Sequence, residues 1–164
     1  MRPKIIIVDE EDKIIGSKER GTLENKDIYR SSALWITNSQ GHILLARRSL
    51  SKSHDPGKWG PAVAGTLEEG ETHESNIIKE AEEELGLTHI TPEKGLKIRV
   101  HSKYNYFCQW YTLTLDKELD AFTLQEEEVA EIKWFSREEL TKELDAHPEM
   151  FLQGMLRNLK EGIN

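Results

Sequence analysis

Short apolar runs separated by polar turns occupy most of the chain and predict a protein built mainly from β-strands. Residues 5–8 and 13–17 flank the acidic segment 9–12, which predicts a β-hairpin. Further runs rich in β-branched and aromatic residues predict strands at 30–37, 42–47, 62–64, 96–101, 104–115 and 129–135. The turn-forming sequence at 38–41 joins the first two of these runs.

Apolar residues also recur at helical spacing, in one segment between the predicted strands and in the last part of the chain. One stripe consists of Ile77, Ile78, Ala81 and Leu85. Thr72 is placed to act as its N-cap, and Gly86 as the left-handed residue that ends the helix. A capping-box sequence at 136–139 predicts a second helix, and 148–160 predicts a last amphipathic helix. Strands with a few interspersed helices indicate an α/β sandwich around a mixed β-sheet.

Length and composition favour one compact catalytic or binding domain. The chain has 164 residues without an evident linker or internal repeat, so we predict a single domain over 1–164. Within it, 1–30 would form an N-terminal hairpin extension and 136–164 the C-terminal helices. The net charge of −8, from 22 basic and 30 acidic residues, argues against nucleic acid or a membrane surface as partner.

The single cysteine, Cys108, excludes an intramolecular disulfide framework and is ordinary for a reducing compartment. The first apolar run, 5–8, is too short for a signal-peptide core or a membrane span. We therefore expect a cytoplasmic protein.

The predicted helix after Thr72 carries a cluster of carboxylates. Glu80, Glu83 and Glu84 lie at positions i, i+3 and i+4, which share one face of a helix. Because like charges at this spacing repel each other, the cluster favours a bound cation, and hard oxygen ligands suit Mg²⁺ or Mn²⁺. The alternative is an ordinary amphipathic helix with a solvated acidic face.

The glycines that precede the helix make the acidic pattern more specific. Gly65 is followed by Gly70–Glu71 and then by the run KEAEEELGL at 79–87. This segment resembles the Nudix box, G-x5-E-x7-R-E-U-x-E-E-x-G-U, in which U is a bulky aliphatic residue. It departs from the box at Lys79, which replaces arginine and lacks its planar fork, and at Ala81, which is smaller than the pattern asks for.

The resemblance implies an α/β/α sandwich of the Nudix type that covers nearly the whole chain. It also implies a Mg²⁺-dependent hydrolase of a nucleoside diphosphate derivative or a similar small diphosphate, X-O-P-O-P-O-Y, with Mn²⁺ as the alternative cation. The metal ligands would be Glu80, Glu83 and Glu84, joined by a backbone carbonyl at Ala64 or Gly65.

The same resemblance assigns roles around the ligands. The general base in this family is either a box glutamate, here Glu83 or Glu84, or a glutamate on a later loop. We favour Glu128, because Glu-Val before a strand is similar to related proteins, although a solvated acidic turn is the alternative. Glu71 would support the loop by pairing with Lys79.

A second resemblance concerns the run RRSLSK at 47–52 and the sequence PGKW at 56–59. Both are similar to isopentenyl-diphosphate isomerases and to the Nudix proteins closest to them, which implies a Nudix hydrolase of that subgroup. In the isomerases, residues matching Arg48 and Lys52 hold the substrate diphosphate. Those isomerases need a cysteine and a histidine where this chain has Ala64 and Thr66. Since alanine cannot exchange a proton, the hydrolase is favoured over the isomerase.

A third hypothesis is a non-catalytic domain that senses a phosphorylated ligand, against which the intact acidic pattern argues. In each case the expected partner is a small phosphorylated compound, whose non-phosphate part would be read by 96–120. The aromatic strand at 104–115 is also a candidate edge for a homodimer.

Overall fold

In the computed structural model, which describes residues 2–161, nine strands form one mixed sheet. The strands are β1 (Lys4–Val8), β2 (Ile14–Glu19), β3 (Ile28–Thr37), β4 (Ile43–Arg48), β5 (Trp59–Pro61), β6 (Val63–Thr66), β7 (Glu93–His101), β8 (Asn105–Thr114) and β9 (Val129–Phe135). The helices are α1 (His73–Leu85), α2 (Arg137–Ala146) and α3 (Met155–Glu161), with 3₁₀ turns at Leu119–Ala121 and Pro148–Met150. The strands predicted from the apolar runs are confirmed, whereas the short β5 was not predicted.

Strand β3 organises the sheet. It pairs antiparallel with β1, β4 and β6 and parallel with β8, so the sheet is mixed as predicted. Strands β1 and β2 form the predicted hairpin, while β8 pairs with β7. Strand β4 pairs antiparallel with both β5 and β9. Both of these strands therefore begin beside the C-terminal end of β4, at Arg47 and Arg48.

Alternating side chains of β3 and β4 supply two apolar layers, one on each face of the sheet. Leu34, Ile36 and Leu44 pack in one core cluster with the apolar side of α1. Trp35 and Ile43 pack on the other face with residues of α2 and α3. The predicted α/β sandwich is therefore confirmed, with α1 on one face of the sheet and α2 and α3 on the other.

Both ends of α1 are fixed by local hydrogen bonds. The Thr72 hydroxyl accepts from the Ser75 amide at 3.0 Å, and the Ser75 hydroxyl accepts from the Thr72 amide at 3.0 Å. Gly86 has a left-handed φ of 70° and donates to the Glu82 carbonyl, while Leu87 donates to the Ala81 carbonyl. The predicted N-cap and C-terminal glycine are confirmed, and Ser75 adds a reciprocal bond that was not predicted.

The helices depart from the predictions at three points. Ile78, which we placed on the apolar stripe of α1, is 37% exposed, because it lies about 100° around the helix from the fully buried Ile77. The Ser136 hydroxyl caps α2, but the predicted capping box is not completed, because the Glu139 carboxylate accepts from the Lys133 ammonium instead. The last helix begins at Met155 instead of residue 148.

The segment before that last helix has its own contacts. Phe151 bridges in parallel to Trp59 of β5, and the Leu152 amide donates to the Trp59 carbonyl at 2.8 Å. The segment predicted as helical from residue 148 therefore starts as a 3₁₀ turn and an extended stretch beside β5. Residues 162–164 of the predicted C-terminal region lie outside the described residues. Within the described part of the chain, no helix has both the length and the apolar character required to span a membrane.

Candidate metal and diphosphate site

The three glutamates of α1 differ in their surroundings. Glu84 is buried with 9% of its surface exposed, and 17% of the Glu80 side chain is exposed. Both lie beside β6, which runs under this part of the helix, whereas Glu83 is exposed on the outer surface. The structure therefore brings Glu80 and Glu84 together in the fold and leaves Glu83 at the rim.

Gly65 of β6 creates the space that Glu80 occupies. A Cβ atom at this position would lie 2.5 Å from the Glu80 Cγ and 2.8 Å from its Cδ. Contacts this short do not occur in proteins, so only glycine allows the Glu80 carboxylate to lie against the β6 backbone. Gly65, one of the two residues whose carbonyl we predicted to bind the cation, therefore provides the space for another predicted ligand, Glu80.

The carboxylates raise one another's pKa values. Burial raises the pKa of Glu84 to about 8, and the negative charges of Glu80 and Glu128 add to this rise. Burial likewise raises the pKa of Glu80 to about 7; the neighbouring Lys79 opposes the rise, and Glu83 and Glu71 contribute to it. A backbone hydrogen bond from Ala64 and the charge of Lys52 act against the rise at Glu84. Without a cation, burial and mutual repulsion therefore disfavour the charged forms of Glu80 and Glu84.

The predicted pairing of Glu71 with Lys79 is present. The Lys79 Nζ lies 2.6 Å from the Glu71 Oε2 and 3.8 Å from the Glu80 Oε1. The other Glu71 oxygen accepts from the Glu68 amide at 2.7 Å and from the Asn76 Nδ2 at 3.3 Å. The Lys79 ammonium thus lies near both carboxylates, although it lacks the planar guanidinium of the arginine that the Nudix box has at this position.

The loop that carries Glu128 is attached by backbone hydrogen bonds to both sides of the site. The Gln125 amide donates to the Glu84 carbonyl at 3.0 Å, and the Thr123 amide donates to the Leu85 carbonyl at 3.1 Å. On the other side, the Ser49 amide donates to the Glu128 carbonyl at 3.0 Å. The loop therefore completes the end of α1 and brings Glu128 beside Glu84.

The two residues predicted to bind the substrate lie on the β4–β5 side of this loop. The Lys52 ammonium pairs directly with the Glu128 carboxylate, which sequence analysis did not predict. Arg48 donates through its Nε to the His54 carbonyl at 2.9 Å. The predicted general base and one predicted phosphate ligand therefore form an ion pair with each other.

A narrow cleft connects these groups. Its lining includes Arg48, Gly60, Ala64, Glu84, Glu128 and Leu152. Leu152 packs directly on Gly60, because a Cβ atom at Gly60 would lie 2.5 Å from the Leu152 Cδ1. Leu152 was missed by sequence analysis, since nothing in a lone leucine of the C-terminal segment indicates that it reaches β5.

The donor set suits a hard divalent cation in chemical terms, because it consists of carboxylate oxygens and backbone carbonyls. The mutual repulsion of the buried Glu80 and Glu84 carboxylates would be relieved by a positive charge between them. In residues 2–161, no three His, Cys, Asp or Glu side chains already converge as a metal cluster. The exposed Glu83 forms no such cluster with Glu80 and Glu84 in the part of the chain that the structure describes.

The aromatic side chains of β8 lie mostly in the core. Trp110 and Tyr111 are buried, and Tyr106 stacks on Tyr29 with ring centroids 5.1 Å apart. Cys108 is also buried, and burial raises the pKa of its thiol to about 12. These residues serve packing in this structure.

Comparison with known proteins identifies relatives over most of the chain. The family that matches is the NUDIX domain, over residues 28–154. A Nudix hydrolase of Yersinia pestis, itself uncharacterized, is 31% identical over 85% of this chain and 76% of its own length. An isopentenyl-diphosphate Delta-isomerase of Salmonella heidelberg is 30% identical over 93% of this chain and 87% of its own length.

Solved structures share the fold. A Deinococcus radiodurans protein matches with a TM-score of 0.84 and 23% identity, over 96% of this chain and 98% of its own. The NUDIX domain of the Shewanella oneidensis protein NrtR, solved with ADP ribose, matches with a TM-score of 0.64 and 17% identity, over 84% of this chain and 87% of its own.

Proposed function

Because the chain belongs to the Nudix family of pyrophosphohydrolases, we propose that it uses Mg²⁺ to hydrolyse a nucleoside diphosphate derivative or a similar small diphosphate. The observation that carries the proposal is that Glu84, Glu128 and Arg48 line one cleft, with the charge of Glu80 acting on Glu84 and with Lys52 paired to Glu128. Negative groups that suit a cation and positive groups that suit phosphates thus lie side by side. Mn²⁺ is the alternative cation, since it takes the same oxygen ligands.

Glu80, Glu83 and Glu84 would hold the cation, and a backbone carbonyl of Ala64 or Gly65 would supply a further oxygen. When bound, the cation would neutralise the charge of the diphosphate and lower the pKa of the attacking water.

Glu128 accepts the proton of the attacking water, and its pairing with Lys52 prepares this role. The incoming diphosphate offers Lys52 a more highly charged partner than one carboxylate. When Lys52 turns to the phosphate, the Glu128 carboxylate is released from its ion pair and is free to accept the proton of the water. Arg48 contributes a guanidinium that binds phosphate oxygens in pairs.

The substrate class is supported by the family and by the ADP ribose held by the Shewanella domain. An isomerase of isoprenyl diphosphates is the competing candidate, since several relatives of 30% identity carry that name. Ala64 lies in the cleft where the isomerase resemblance requires a cysteine, so the proton exchange that an isomerase performs lacks its donor.

A panel of diphosphates tests the proposal: ADP ribose, nucleoside diphosphates and isopentenyl diphosphate, each with Mg²⁺ and with Mn²⁺. Products are separated by anion-exchange chromatography. We expect cleavage of the diphosphate linkage of at least one nucleotide, abolished by chelation of the metal. Glu84→Gln should reduce the rate by 10²-fold or more, whereas Glu82→Gln, on the exposed side of the same helix, should not.

Two results would contradict the proposal. Exchange of isopentenyl diphosphate with its isomer, without cleavage, would identify an isomerase. Tight binding of a nucleotide without turnover under all metal conditions would identify a sensor.

A further inference from the structure

Asn76 is a buried polar residue of α1 that lies one turn before Glu80. Its side chain is inaccessible to solvent, which is unusual for asparagine and demands hydrogen-bond partners. Its Nδ2 donates to the Thr66 carbonyl at 3.3 Å and to the Glu71 Oε1 at 3.3 Å. Its Oδ1 is buried and has no hydrogen-bond partner among residues 2–161.

The orientation of this amide follows from its neighbours. The Thr66 carbonyl accepts only, and so does the ionised Glu71 carboxylate, whose pKa is lowered by Lys79 and the Glu68 amide despite its burial. The NH₂ group must therefore face both of these oxygens. In the reversed orientation, the Asn76 oxygen would face the Thr66 carbonyl and the Glu71 carboxylate with no hydrogen atom between them. The oxygen of Asn76 is consequently fixed on the side away from Glu71.

On that side the Asn76 oxygen faces the candidate metal ligand. The Oδ1 lies 3.1 Å from the point at which a Gly65 Cβ would stand, and the Glu80 Cδ lies 2.8 Å from the same point. The two atoms are therefore at most 5.9 Å apart, the sum of these distances. Asn76 and Glu80 share the space that the missing side chain of Gly65 leaves open.

A divalent cation held by carboxylates supplies the missing donor. Mg²⁺ and Mn²⁺ keep several water molecules at about 2 Å, and water on a cation is a strong hydrogen-bond donor. A cation on the Glu80 carboxylate would bring such a water within reach of an acceptor a few ångströms away. We propose that the Asn76 Oδ1 accepts a hydrogen bond from a water bound to this cation, which makes Asn76 a positioning residue of the metal site.

This inference rests on the proposed function for its cation, but it concerns a residue outside the acidic pattern. Its positioning role has two parts. The Nδ2 group ties the Thr66 carbonyl and Glu71 to α1, and the Oδ1 orients a water of the cation. Only the second part depends on the cation.

Mn²⁺ binding tests the second part without reference to catalysis. Free Mn²⁺ is measured by electron paramagnetic resonance during titration of the protein. Asn76→Leu keeps the size of the side chain but removes the acceptor, and we expect Mn²⁺ affinity to fall about 10-fold or more, as when outer-shell partners of metal ligands are lost. Asn76→Asp removes the donor but keeps an acceptor oxygen, so its Mn²⁺ affinity should equal or exceed that of the wild type.

Asn105 provides a matched control. Its Nδ2 also donates to a carbonyl, that of Asn25 at 3.2 Å, and its Oδ1 is also buried without a partner in the part of the chain that the structure describes. It begins β8 and is not among the groups that line the cleft or shift the pKa values of Glu80 and Glu84. Asn105→Leu should therefore change the urea midpoint of unfolding at most, with unchanged Mn²⁺ affinity.

The outcomes separate this inference from the proposed function. If the wild type binds Mn²⁺ and Asn76→Leu binds it equally well, the inference alone is overturned. If Asn76→Leu and Asn76→Asp lose the same affinity, the amide has only a structural role and the inference is again overturned. If the wild type binds no Mn²⁺ in the presence of a diphosphate, the proposed function fails and this inference fails with it. Should Asn76→Leu not fold, the Asp variant still decides.

Discussion

The substitution Gly65→Ala is the sharpest test of the way in which β6 and α1 build the candidate site. The added methyl group would lie 2.5 Å from the Glu80 Cγ, whereas ordinary contacts begin at 3.4 Å, so the Glu80 side chain must move by about 1 Å. The φ angle of Gly65 lies outside the left-handed region, so the backbone itself tolerates alanine.

A displacement of about 1 Å at a catalytic group costs on the order of 10²-fold in rate. We therefore expect kcat/KM with Mg²⁺ to fall about 100-fold, which corresponds to about 2.7 kcal/mol of transition-state stabilisation. Because Glu80 is a flexible side chain that can turn away, the free energy of unfolding in urea should change by less than about 1 kcal/mol. The assays are steady-state turnover of the best diphosphate of the panel and urea unfolding followed by tryptophan fluorescence.

Gly16→Ala is the matched control, because a Cβ at Gly16 meets no atom within 4 Å and its φ is not left-handed. It should leave both turnover and Mn²⁺ affinity unchanged. If Gly65→Ala kept the activity of the wild type, Glu80 would not need its place against β6, and its assignment as a metal ligand would be refuted.

Three further predictions address the cleft, the core and the pH dependence of stability. Gly60→Ala should displace Leu152 from β5, because the added methyl group would collide with it. In steady-state kinetics, KM should then change more for the bulkier diphosphates of the panel than for the smallest. Equal changes for all substrates would exclude Leu152 from the cleft wall. Leu85→Ala, at a fully buried position of α1, should lower the free energy of unfolding by about 2–5 kcal/mol in urea titrations, and a loss below 1 kcal/mol would contradict the packing described. Burial lowers the pKa of His73 to about 4 from 6.5, so the unfolded chain binds its proton more readily, and stability should be lost as pH falls from about 6.5 to 4. Relative to His73→Gln, the wild type should lose about 2 kcal/mol of unfolding free energy over this range, a figure reduced for the partial exposure of the ring. Parallel pH profiles of the two proteins would refute this prediction.

The sequence predicted α1 well because its determinants are local. Thr72 and Gly86 act on the backbone within a few residues of themselves, and Ile77 reports the helical period directly. The pair of Glu71 and Lys79 was predictable for a similar reason, since both belong to one short segment. The strands followed from apolar runs, apart from β5, whose sequence around Pro61 reads as a turn.

The contacts that shape the cleft were beyond sequence reasoning because they join distant segments. Lys52 and Glu128 are 76 residues apart, so their ion pair depends on the register between β4 and β9. Leu152 reaches β5 only because the chain becomes extended at Phe151, after the 3₁₀ turn at Pro148–Met150, instead of continuing as the predicted helix. Asn76 carried one local signal, a polar residue beside the apolar stripe of α1, which the periodicity of that helix could have exposed.

The attachment of the Glu128 loop has a practical consequence for altering this protein. Its anchors to Glu84, Leu85 and Ser49 are main-chain hydrogen bonds, which every residue type except proline can make at the donor positions. Side chains along the loop can therefore be exchanged in a combinatorial library while the spacing between the two walls of the cleft is preserved. A search for variants with new substrate preference should begin at positions 126 and 127, where side chains can be replaced while the main-chain hydrogen bonds of the loop are retained.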